Sequence, residues 1–188
     1  LSQKSMFLKD TIDKNGFLVL NHSKDLPSVM DIGGDWYSVL ELIEERHIYV
    51  CKLIKGRTTY LSKELYYALK PFLQDAILNE EEEKIYSFID TNEDVNTKIL
   101  KFALNLESKV FKKALENMQK NLLITVLHGD QTLTASWSTY CWGTFKQWEE
   151  TDPHPIIMEV EEAYEVAIRF LSPYLTEKQL KNLLKLKA

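Results

Sequence analysis

Apolar positions recur along this chain with two periods, and the changes between them outline its elements. Between Glu80 and Trp142 the order reads helix, helix, helix, hairpin. A first helix, Glu80 to Asp90, carries Ile85, Phe88 and Ile89 on one face. A second, Val95 to Asn105, repeats Val95, Ile99, Phe102 and Ala103, with Asp94 placed to accept the free amide protons at its start. After Asn105-Leu106-Glu107 a third helix turns Val110, Phe111, Ala114, Leu115 and Met118 inward. Leu122 to Val126 is then β-rich, His128 to Gln131 turns, and Thr132 to Tyr140 alternates Leu133, Ala135 and Trp137 with polar neighbours. That order predicts a winged helix-turn-helix, with Phe102, Phe111, Leu115, Met118 and Ile124 meeting in its core.

The same reading divides the rest. Ser5 to Lys14 is a helix stopped by Asn15-Gly16, Phe17 to Asn21 a strand, and Leu26 to Gly34 a loop. Asp35 caps a helix running to about Arg46. His47 to Leu53 and Arg57 to Leu61 form a hairpin across Lys55-Gly56, and Ser62 starts another helix to about Phe72. Thr144 and Gln147 stand at capping-box spacing at the head of a short helix, Gly143 to Glu150. Two final helices, Ile156 to Leu171 and Glu177 to Leu186, follow Asp152-Pro153-His154-Pro155. The expected class is α+β: an N-terminal α/β-containing half over 1–78, a winged-helix domain over 79–150 and a helical C-terminal tail over 151–188.

Composition changes this picture little. A chain of 188 residues with 45% hydrophobic residues can build a real core. No apolar run approaches the roughly 20 residues that span a bilayer. Leu1-Ser2-Gln3-Lys4 lacks a signal-peptide plan, and a start without Met reads as trimmed or as a fragment. Cys51 and Cys141 lie far apart, so a reducing cytoplasm is expected rather than a disulfide framework.

Charge says more. The net charge of −5 argues against binding nucleic acid by overall electrostatics. Between Thr97 and Thr125, however, Lys98, Lys101, Lys109, Lys112, Lys113 and Lys120 face only Glu107 and Glu116, six cations against two anions, a local excess of +4. The acids crowd Glu80 to Glu83 instead, where they favour a helix N-terminus. Lys98, Lys109, Lys112, Lys113 and Lys120 are therefore the candidate DNA contacts, the third helix entering the major groove and the hairpin touching phosphates. The plain alternative is a solvated helix face. The third helix has no Arg for guanine, so sequence-specific reading is not indicated.

No catalytic, metal or cofactor constellation is legible. His47 and Cys51, four apart on a strand, are separated by over ~10 Å. His128 and His154 lack Cys, His or carboxylate neighbours at metal spacing. Trp36, Tyr37, Tyr49, Tyr60, Tyr66, Tyr67 and Phe72 could line an apolar pocket, but their spacing suits a core.

Asp35-Trp36, the helix ending at Glu44-Glu45, and His47-Ile48-Tyr49-Val50-Cys51-Lys52-Leu53 through Leu61-Ser62-Lys63-Glu64 resemble a group of small bacterial proteins labelled AlkZ-related. So do Phe111-Lys112-Lys113-Ala114-Leu115 through Leu123-Ile124-Thr125-Val126 and Trp148. The resemblance covers roughly residues 15 to 150. It points towards the AlkZ/YcaQ DNA glycosylases, which assemble tandem winged helices and activate water with a Gln-x-Gln or Gln-x-Asp pair. No glutamine here begins such a pair; Gln147-Trp148-Glu149 comes nearest. The resemblance thus implies shared architecture and DNA affinity without glycosylase activity. A winged-helix module for a protein partner and a divergent base-excision enzyme stand as alternatives.

Overall fold

A computed structural model of the chain describes residues 1–130 and 139–185. It is α+β, with small antiparallel sheets among helices. The first sheet has the order β1-β3-β2, with β1 at Phe17–Val19, β2 at Ile48–Cys51 and β3 at Thr59–Ser62. Every residue of these strands is buried, as expected of a sheet covered on both faces.

Their side chains part by strand alternation. Leu18, Ile48, Val50 and Tyr60 pack under α1 (Gln3–Asn15) and α2 (Trp36–Glu44). Phe17, Val19, Tyr49, Cys51 and Leu61 face α3 (Lys63–Leu73), α8 (Val160–Leu171) and α9 (Glu177–Leu183). Gly16, in the left-handed region at φ 86°, ends α1 where Phe170 crosses so closely that a Cβ would meet its ring at 2.6 Å.

The third cluster joins α4 (Glu80–Thr91), α5 (Thr97–Leu104) and α6 (Ser108–Lys120) to the start of β4 (Ile124–Gly129). Strand β5, Tyr140–Thr144, pairs antiparallel with β4, and α7, Phe145–Glu150, follows with Thr144 and Gln147 forming the expected capping box. The hairpin is set further along than the alternation predicts: β4 continues through Gly129, and β5 begins at Tyr140, where the expected strand ends. Thr132 to Ser138 of that expected strand lie outside the described residues. A register shift between Val126 and His128 sets His128 opposite Cys141. Leu127 crosses Gly143 where a Cβ would meet its Cγ at 2.3 Å.

Side-chain bonds lock this unit to the first sheet. Thr125 Oγ1 accepts from Val50 N at 3.1 Å and donates to Val50 O at 2.8 Å, while the Tyr49 hydroxyl donates to the Leu122 carbonyl at 2.7 Å. The Arg46 guanidinium donates to the Leu127 carbonyl at 2.6 Å, so α2 buttresses the hairpin.

Candidate nucleic-acid interface

Helix α6 divides as its periodicity predicts. Phe111, Ala114, Leu115, Met118 and Gln119 are buried. Lys109, Lys112, Lys113 and Lys120 project from the other side, all exposed, as is Lys98 on α5. None of the five forms an ion pair among the described residues. At roughly 100° per residue, Lys109, Lys113 and Lys120 fall within about 40° of one another in the middle of the outer face, with Lys112 at its edge. Lys112 lines a cleft of about 270 Å³ with Lys52, Glu116, Tyr140 and Trp142. Lys113 lines another, beside Glu81 and Glu82. Lys120 runs past the Lys55-Gly56-Arg57 turn, its Cε 3.8 Å from where a Gly56 Cβ would lie. Lys52 holds Glu116 at 3.9 Å, tempering the one acid on this face.

Helix α5 differs from the sequence reading. Phe102 is 90% exposed and Ile99 42%, so Phe102 is no part of the core; Leu100 is the buried residue. Val95 lies outside the helix, where its carbonyl accepts from Trp142 N at 2.8 Å. The inward stripe then runs through Leu100 and Leu104, four apart. Asn96, not Asp94, is the cap, accepting from Ile99 N at 2.8 Å. Asp94 instead adopts a left-handed φ of 54° and places its carboxylate 3.1 Å from His128 Nε2.

That contact belongs to a group hidden from sequence spacing. Ligand atoms of Asp94, His128 and Cys141 all lie within 4.8 Å of one another. His128 and Cys141 are paired across the hairpin, and the Val95–Trp142 bridge holds the Asp94 turn alongside. Burial, then the Asp130 and Asp94 carboxylates, pushes the Cys141 thiol up to about 11. A strand register across the bulge pairs His128 with Cys141 but does not place Asp94, which the docked turn supplies.

The nearest approach to a water-activating pair comes apart. Gln147 is spent on the α7 cap and on the Ile89 carbonyl, to which its Nε2 donates at 2.9 Å. Glu149 faces elsewhere, accepting from Lys70 Nζ at 2.5 Å and from the Tyr66 hydroxyl at 3.2 Å. It borders a cleft of about 360 Å³ with Tyr67, Lys70, Ile156 and Met158. Trp148 between them is wholly buried against Tyr49, Tyr66 and Tyr67, so these aromatics are core. Tyr49 and Tyr66 stack at 4.1 Å, and burial raises both hydroxyls well above the usual tyrosine range.

Comparison with protein families matches a model described as AlkZ related to residues 7–188. The chain belongs to the AlkZ-related family. The match takes in nearly the whole chain, beyond the stretch over which the sequence resemblance was legible. No curated protein and no solved structure matches this AlkZ-related chain. No helix among its described residues is long and apolar enough to cross a membrane.

Proposed function

We propose that this AlkZ-related chain binds double-stranded DNA without cleaving it, α4 to α6 and the β4–β5 hairpin acting as a winged helix-turn-helix. In this reading α6 is the groove-facing helix and the hairpin is the wing. The observation that carries it is the outer face of α6, where Lys109, Lys112, Lys113 and Lys120 are exposed and free of ion pairs among the described residues. Phosphate contacts of this kind confer affinity and orientation without sequence. Family membership supports the reading through the relation to DNA glycosylases. The separated partners of Gln147 and Glu149 support binding without base excision.

Fluorescence anisotropy with a labelled duplex tests it. The wild-type chain should bind duplexes of different sequence with similar affinity, and a variant with Lys109, Lys112, Lys113 and Lys120 changed to Glu should not bind. Equal binding by both proteins would overturn the assignment.

One observation favours a second reading. Phe102 and Ile99 expose an apolar surface on α5, as a contact for a protein partner would. If duplex fails to bind, that surface is the better guide.

A further inference from the structure

We propose that Asp94, His128 and Cys141 form a binding site for a divalent transition-metal ion, zinc foremost, at the β4–β5 hairpin. The three come from a turn before α5 and from two paired strands, so only the fold assembles them. A tetrahedral zinc ion holds nitrogen and oxygen at about 2.0 Å and sulfur at about 2.3 Å, which sets ligand atoms roughly 3.3–3.6 Å apart. The His128–Asp94 separation is already 3.1 Å, and the widest in the group is within 4.8 Å. The Asp94 side chain, 77% exposed, has the freedom to close the remainder.

The histidine is oriented as a ligand. Its Nδ1 lies 2.9 Å from the Gly129 carbonyl, which can only accept, so Nδ1 carries a proton. In the neutral ring Nε2 then turns a lone pair towards the Asp94 carboxylate. Two acceptors facing each other repel, and a cation bound by both removes the conflict. A ring N–H donated to a backbone carbonyl is the usual support of a metal-bound histidine. The bulge before His128 brings its side chain and that of Cys141 to the same side of the hairpin.

The donor set selects the metal. One sulfur, one nitrogen and one carboxylate suit zinc, whereas calcium and magnesium take oxygen alone. On binding, the Cys141 S–H bond breaks, a zinc–sulfur bond forms, and the proton passes to solvent. Three protein ligands leave the fourth position to water on the exposed Asp94 side. The ion would tie the turn leading into α5 to the hairpin.

The test uses the full chain, stripped with a chelator and titrated with cobalt(II), then zinc(II). One equivalent of cobalt should produce a near-ultraviolet sulfur-to-cobalt charge-transfer band that zinc abolishes. Cys141→Ser should lack the band, and Cys51→Ala should keep it. Since even supporting residues cost about 10–100-fold in metal affinity, Asp94→Asn and His128→Gln should each weaken zinc binding by about tenfold or more. Zinc should raise the thermal midpoint of the wild type but not of His128→Gln. Should Cys141→Ser fail to fold, the Asp94 and His128 variants decide. No band in the wild type, or unchanged zinc affinity in those two variants, overturns the proposal.

Discussion

Gln147 and Glu149 stand two positions apart on α7 and serve different neighbours: Gln147 Nε2 donates to Ile89 O at 2.9 Å, and Glu149 accepts from Lys70 Nζ at 2.5 Å. Residues at that spacing diverge by roughly 200° around a helix. They cannot hold one water between them.

The chain is therefore expected to release no base from alkylated or cross-linked duplex. Alkaline strand scission at abasic sites measures this, and scission above the protein-free control would contradict it. Gln147→Ala should instead register in stability, costing about 1 kcal/mol or more through lost hydrogen bonds.

Met118 and Phe102 separate the core of this unit from its surface. Met118 is wholly buried, so Met118→Ala should cost about 2–5 kcal/mol through lost burial and a residual cavity. Phe102→Ser, at a side chain 90% exposed, should change stability by about 0.5 kcal/mol or less. Urea denaturation of the two variants checks both, and a large loss in Phe102→Ser would place that ring inside.

The α6 face was readable because one residue in each local pair decides it: Phe111 and Leu115 point in, so Lys109 and Lys113 point out. α5 was misread because Val95 looked like a helical apolar position, while its backbone is drawn into a bridge with Trp142. Periodicity cannot register a bond made 47 residues away. The Asp94, His128 and Cys141 group was invisible for the same reason, since it depends on a hairpin bulge and on a turn docked beside it. The capping box at Thr144, by contrast, is local chemistry and was legible.

Asp152 predicts a pH dependence. Burial alone would push its carboxyl up, but Lys63, the Tyr67 hydroxyl and the His154 amide outweigh this and hold it below the usual carboxylate range. A depressed folded-state value means its stabilisation is complete above the unfolded value, about 3.9, and drains away as pH falls through the lower folded one. Asp152→Ala should cost about 3–5 kcal/mol near neutrality, because it strands a Lys63 ammonium that is mostly buried. Asp152→Asn should show a shallower loss of stability than the wild type below about pH 4. Denaturation midpoints measured across that range check it; parallel acid limbs would show that the carboxylate contributes nothing there.

Salt dependence bears most directly on the central claim. Each phosphate neutralised contributes a slope of about −0.9 to log affinity against log salt. Contacts from Lys109, Lys112, Lys113 and Lys120 should together give about −3 to −4, with non-specific dissociation constants of roughly 10⁻⁴ to 10⁻⁶ M at physiological salt. Lys113 shares its cleft with Glu81 and Glu82, so Lys113→Ala should flatten the slope less than Lys112→Ala, which should remove about one unit. Opposing this, eight lysines meet twelve acids between Glu80 and Glu150, so binding requires that the lysine face act apart from the acids. A slope near −3 to −4 that falls as these lysines are removed is the predicted result. A flat response, or no binding at low salt, would contradict it.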